Sequence, residues 1–410
     1  MQPNSFFLNK IESLRLRSQN LKHLRKDMLL PADADLRKEQ WDALESQLAG
    51  VSNGLLNKLR TYTDRLLSDS DNASVKKELV QLLGNLELEV TQSYVFYDTY
   101  MDLLTQRLCK PIGELLRGCD VIAMDGISRG YLADISVQPI VYFDRGFGAK
   151  TCREGVNILP GVPNPLQFIA IPYSRLAEKY NLISIYHEVG HQTLVKLNMV
   201  SLLQKNIEQQ LKKYGAPALI ISLYTNWMKE LGPDFWAFCL TGMAQTCSLR
   251  DILFLPQSQT TFVSTAQQHP PGYLRFLASV HWCKHYWGHG DWNFWEQEWK
   301  EKYPVQRTDS ITQQVINTAE KYLPVLARVF FDTTYRKLNH KPITSLFALD
   351  TLNPELLKKM AEGYTDADPQ FRKQPLGVQL AVFRLMRENR KNKHANIDQA
   401  MSNWLKTIPN

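Results

Sequence analysis

From about Ser5 to Arg117, apolar residues recur every three or four positions, most clearly in "LESQLAGVSNGLLNKLRTYTDRLL" and "KKELVQLLGNLELEVTQSYVFYDTYMDLLTQRL". That period predicts amphipathic helices. Breaks at Pro31 and around "SDSDNAS" suggest paired long helices, with their charges on a solvated outer face. After Gly118 the pattern shortens: "CDVIAMDGI", "VQPIVYFD", "GVNILPG" and "LQFIAIPY" are β-prone runs separated by Gly, Pro, Asn and Asp. A small sheet is expected there.

Helical periodicity then resumes in "SRLAEKYNLISIYHEVGHQTLVKLN", near Leu202–Tyr214 and over roughly Ala218–Thr246. From Tyr303 onward come "ITQQVINTAEKYLPVLARVF", "PELLKKMAEGY" and "LGVQLAVFRLMRENRKNK", the last carrying a basic cluster over Arg384–Lys393. No internal repeat or low-complexity tract is evident. The expected fold class is α+β and predominantly helical: a helical domain or arm over 1–118, a core with a small sheet over 119–302, and a helical C-terminal region over 303–410.

A chain of 410 residues with 44% apolar content can bury a sizeable core in two or three domains. Its net charge of +7 is accompanied by ample acidic residues, which argues against a dedicated nucleic-acid groove. The six cysteines form no C-x-x-C pair and no regular framework, as expected of reduced thiols in the cytoplasm. No run resembles a signal peptide or reaches the roughly 18 apolar residues that span a bilayer, so a soluble, intracellular protein is expected.

Within "NLISIYHEVGHQTLVKLNMV" stand His187, Glu188 and His191. Residues four apart share a helix face, so both imidazoles can reach one metal ion, while Glu188 lies on the flank, placed to take a proton from water. Composition predicts only roughly 0.01 chance matches to His-Glu-x-x-His in such a chain. Ile183, Ile185, Tyr186, Val189, Leu194 and Val195 imply a largely buried helix, where such polar groups are costly unless paired or liganded. Gly190 permits close approach of another backbone.

A catalytic zinc site usually has three protein ligands and one open position. The best candidate for the third is Glu230 in "NWMKELGPDFWAFCLTGMAQ", with Asp234 one turn further on to orient a ligand histidine through its ring N–H. An exposed face with scattered acids is the alternative, disfavoured by the surrounding Trp227, Phe235, Trp236 and Phe238. Gly232-Pro233 between the two acids predicts a kink or local break, with a new helical turn beginning at Pro233.

The order "HEVGH", "ELGPD", "HPPGYLR" resembles the gluzincin metallopeptidases, most closely the HtpX and CAAX-prenyl-protease family. The likeness spans roughly 184–275, about a fifth of the chain. It implies a zincin-like metallopeptidase core in which His187, His191 and Glu230 bind one zinc ion and Glu188 is the general base. By the same resemblance His269 stabilises the oxyanion or holds the substrate carbonyl, and Arg275 locks the site through Asp234. That family is membrane-embedded and this chain shows no comparable span, so prenylated or membrane-protein substrates do not carry over.

Two further stretches invite a role. Phe168, Ile169, Ala170 and Ile171 form either an edge strand that holds extended peptide by strand addition or a core strand with two buried faces. In "HWCKHYWGHGDWNFWEQEW", His281, Cys283, His285 and His289 are either a second metal site or part of an aromatic packing surface.

The leading expectation is a zinc metallopeptidase acting on a protein or peptide substrate. The alternative is a binding or scaffolding protein with a structural zincin core, recruiting a protein partner through the N-terminal helices. Hydrolysis of a non-peptide amide by the same apparatus is a third.

Overall fold

The computed structural model describes residues 5–68, 72–130, 132–146, 148–159, 161–264, 269–365, 368–389 and 394–409. It is predominantly helical, 74% helix against 5% strand, in keeping with the periodicity of the sequence. Among the described residues no helix is long and apolar enough to cross a membrane. The chain divides into two compact units: 1–120, 137–144 and 152–170 form the first, and 121–136, 145–151 and 171–410 the second. The helices after Tyr303 therefore fall in the same unit as the HEVGH motif.

The first unit is built on α1 (Ser5–Asn20), α2 (Lys38–Ser68), α3 (Ala73–Thr105) and the start of α4 (Lys110–Ile127). On α2 the buried positions Trp41, Leu44, Leu48, Ser52, Leu55 and Leu59 keep the helical three-and-four spacing, matched by Leu79, Leu83, Leu86 and Val90 on α3. Asn72 starts α3 by accepting the Ser74 N–H at 2.9 Å. Outside this seam the pairs Lys58–Glu89 and Arg65–Glu78 remain in solvent, where each contributes little stability. One ion pair is taken inside: Asp120 accepts from Arg107 at 2.9 Å and from the Val141 amide at 2.7 Å, and both partners are buried.

The expected sheet is present but smaller than its β-prone runs suggested. Strands β1 (Ile140–Asp144), β2 (Lys150–Cys152) and β5 (Phe168–Pro172) lie in the order β1-β5-β2, and β3 (Asn157–Leu159) pairs with β4 (Val162–Pro163). "CDVIAMDGI" is not a strand: it is the second half of α4, where helical burial of Leu116, Cys119, Ile122 and Ala123 overrides its β-branched content. Phe168, Ile169, Ala170 and Ile171 are not an open edge either. Their strand is the middle one, flanked on both sides and buried at every residue, so it offers no free backbone for peptide addition. The core-strand alternative is the one that holds.

The second unit contains α5 (Ser184–Lys196), α6 (Met199–Lys213), α7 (Ala218–Thr241), α8 (Met243–Ile252), α9 (Gly272–Trp287), α10 (Asp291–Lys302), α11 (Ser310–Glu320), α12 (Leu323–Asp332), α13 (Pro354–Glu362), α14 (Leu376–Met386) and α15 (His394–Thr407). Its centre is the second half of α7, buried at every residue from Glu230 to Thr241. Phe235 stacks on Phe330 at 4.5 Å and meets Trp282 edge-on at 5.3 Å, an aromatic core spanning three helices.

The single helix expected over Ala218–Thr246 is two. Gly242 has φ 59° and ψ −136°, a conformation reserved for glycine, and it separates α7 from α8. Of the kink or local break expected at Pro233, the break does not occur, since α7 runs through it. Within the basic cluster, Arg384 is wholly buried, bound to Asp251 and to the Cys247 carbonyl, both at 2.7 Å. Residues 390–393 of that cluster lie outside the described residues.

Candidate metal centre

Two helices cross at Gly190 and Pro233. A Cβ at Gly190 would lie 2.8 Å from the Pro233 Cα, so only glycine lets the α5 and α7 backbones meet this closely. The histidines flank Gly190 in sequence and Glu230 and Asp234 flank Pro233, so one close approach brings both pairs together. Neighbouring hydrogen bonds fix the crossing: Tyr186 Oη donates to Asp125 at 2.8 Å, and Trp236 Nε1 donates to the Gly126 carbonyl at 3.0 Å.

At the crossing, His187 Nε2 and His191 Nε2 are 3.2 Å apart. Glu230 places Oε2 3.5 Å from His187 Nε2 and Oε1 3.9 Å from His191 Nε2. Among the described residues, these three are the group of three or more potential ligands whose donor atoms lie within 4.8 Å of one another. Ligands bonded at about 2.0–2.1 Å in a tetrahedron stand roughly 3.3 Å apart. The two imidazole nitrogens thus stand at nearly the spacing of one tetrahedral edge, and each faces one oxygen of Glu230 at 3.5–3.9 Å.

Asp234, fully buried, supports this face from behind. Its Oδ1 accepts from His187 Nδ1 at 2.9 Å, leaving Nε2 as the atom turned toward Glu230. Arg275 on α9 grips the same carboxylate with two bonds, Nε to Oδ2 at 2.5 Å and Nη2 to Oδ1 at 2.8 Å. A further donor, Gln245 Nε2 on α8, reaches Oδ1 at 3.4 Å. Sequence reasoning missed Gln245, because a helix continuing past Gly242 would carry it away from Asp234.

Burial opposes every charge in this site, and partners decide which survive. For His187 burial works against protonation, but Asp234 and then Glu230 carry its pKa up to about 10. Nothing similar rescues His191, which burial and the neighbouring His187 push down to about 3. Glu230 resists burial through His187 and Arg275, falling to about 2; Asp234, held chiefly by Arg275, lies well below the usual carboxylate range. Glu188 is different: burial dominates, Glu230 adds to it, and its pKa rises to about 7. One carboxyl in the cluster is thus poised to exchange a proton near neutrality while the other two stay ionised.

His269 stands on the open side, two-thirds exposed, with Nε2 3.4 Å from Glu230 Oε1. The histidines of "HWCKHYWGHGDWNFWEQEW" form no second centre. Cys283 is buried against Thr246 Oγ1 at 3.5 Å, His285 pairs with Asp332 at 3.1 Å, and His289 meets Asn293 at 3.2 Å. Trp282, Trp292, Trp295 and Trp299 are buried, so this stretch serves packing. The sequence matches no protein-family model, and neither curated proteins nor solved structures include a match to it.

Proposed function

We propose that this chain is a zinc-dependent metallopeptidase whose second unit carries a zincin-like core, with His187, His191 and Glu230 as ligands of one zinc ion. The observation that carries this reading is the donor cluster, in which His187 Nε2 and His191 Nε2 lie 3.2 Å apart and meet Glu230 Oε2 at 3.5 Å and Oε1 at 3.9 Å respectively, assembled from two helices and three residues spread over 44 positions of sequence. Two imidazole nitrogens and a carboxylate oxygen are a donor set that suits zinc. Protonated His187 in this arrangement supplies a positive charge where the acids are organised to hold a cation. The free cysteines fit a reducing, cytoplasmic setting.

When bound, zinc supplies a Lewis acid that acidifies water and polarises a carbonyl. Glu188, buried beside the ligand histidines, accepts the proton of the attacking water and returns it to the leaving amine. Asp234 keeps the His187 proton on Nδ1, and Arg275 holds Asp234 in place. His269, exposed at the rim, donates to the oxygen of the carbonyl under attack.

The test is direct. Purified protein carries about one zinc per chain and cleaves members of an unstructured peptide library, whereas Glu188→Gln retains the metal and loses cleavage. Wild type without bound zinc, or cleavage indifferent to Glu188→Gln, would overturn the reading.

A further inference from the structure

We infer that Gln245 is a positioning residue for the ligand His187, acting through Asp234; the inference rests on the zinc reading above. Asp234 and Gln245 are eleven residues apart, about 16 Å along one continuous helix. Gly242 removes that separation. Its φ of 59° turns the chain, and a Cβ there would meet Leu352 Cβ at 3.1 Å and Trp287 at 3.2 Å, so the turn is packed from outside as well as glycine-dependent. The Gln245 amide N–H then donates to the Gly242 carbonyl at 3.1 Å, seating the first turn of α8. Its side chain, 3% exposed, points back to the carboxylate.

The chemistry of Asp234 explains why an amide suits this place. Oδ1 is shared by His187, Arg275 and Gln245, on three different helices. Arg275 fixes the plane of the carboxylate through its fork, and Gln245 adds a donor from another direction, limiting rotation of the oxygen that His187 depends on. A lysine there would add a second cation and draw charge away from the His187 bond. An apolar residue would leave a buried anion short of a donor. Glutamine supplies the hydrogen bond and leaves the charge of Asp234 for His187.

Gln245→Met, close in length and volume and lacking the donor, tests this. Zinc affinity, from chelator competition, is expected to fall about tenfold, the lower end of the usual cost of losing a group that supports a ligand. The melting temperature of chelator-treated protein should fall only modestly, by the loss of one long hydrogen bond to a carboxylate that keeps its other donors, and the visible spectrum of the cobalt-substituted protein should change, a readout that packing alone would not move. Gln245→Glu sets a second carboxylate against Asp234 and should weaken zinc further, toward a hundredfold; it also serves if the methionine variant fails to fold. Wild-type affinity and cobalt spectrum in both variants would overturn the role of Gln245. A wild-type protein that takes up no zinc would instead overturn the metal reading, and this inference with it.

Discussion

Two helices of the second unit carry histidines four residues apart, and only one pair makes a candidate centre. On α5, His187 and His191 bring their Nε2 atoms to 3.2 Å and face Glu230. On α9, His285 turns to Asp332 and stacks on Phe331 at 5.0 Å, while His281 packs near Glu296, Lys284 and Lys300. Spacing on a helix is therefore a necessary condition, met equally by both. What distinguishes α5 is a second helix close enough to deliver an acid, which Gly190 allows, and a buried Asp234 that fixes one ring. Electrostatics record the same contrast: burial pushes His281 down to about 4, whereas Asp234 reverses that effect at His187 and takes it to about 10.

The largest effects should come from cutting into the first pair and sparing the second. His187→Ala is expected to abolish stoichiometric zinc binding, and His281→Ala to leave it intact, as read by metal analysis after gel filtration. Equal zinc loss in both variants would erase the distinction between the helices. Glu188→Gln should lower kcat by roughly 10²–10⁴-fold, the usual range for a general base, with zinc content unchanged. Gly190→Ala comes next: its methyl group must displace the Pro233 backbone, so a loss of about 1–3 kcal/mol is expected in urea unfolding. Weaker zinc binding should accompany it. An alanine variant with unchanged stability and affinity would mean that the helix crossing does not set the donor cluster.

Much of this site was legible in sequence because its signals are local. His-Glu-x-x-His fixes three side chains on one turn and a half of helix, and Glu230 with Asp234 reads the same way two helices later. Gly190 announced a close contact without naming its partner, which is Pro233. The long amphipathic helices were legible for a similar reason, since Trp41 to Leu59 and Leu79 to Val90 keep an unbroken period. What could not be read depends on tertiary context. "CDVIAMDGI" has β-prone residues but continues a helix that already buries Leu115 and Leu116. Phe168–Ile171 has the same sequence pattern whether its strand is an edge or a centre, and only pairing decides. Gln245 was invisible because the turn at Gly242 follows from packing against Leu352 and Trp287, over a hundred and over forty residues away.

The last expected effects are in pH dependence, and they should have opposite sign for the two histidines. His281 has a folded pKa of about 4 against an ordinary 6.5, so as pH falls across that window the unfolded chain takes up a proton that the folded chain refuses. Stability is fully retained above 6.5 and lost toward 4. His281→Gln has no such proton to bind, so urea unfolding should lose less stability than wild type over that interval. His187 in chelator-treated protein behaves in the reverse sense: with a folded pKa of about 10, its contribution is complete below 6.5 and declines as pH rises. His187→Gln should therefore flatten the alkaline side of the curve and leave the acid side alone. If both variants changed the same side, the acid carried by α7 would not be what separates the two helices, and the contrast would reduce to burial alone.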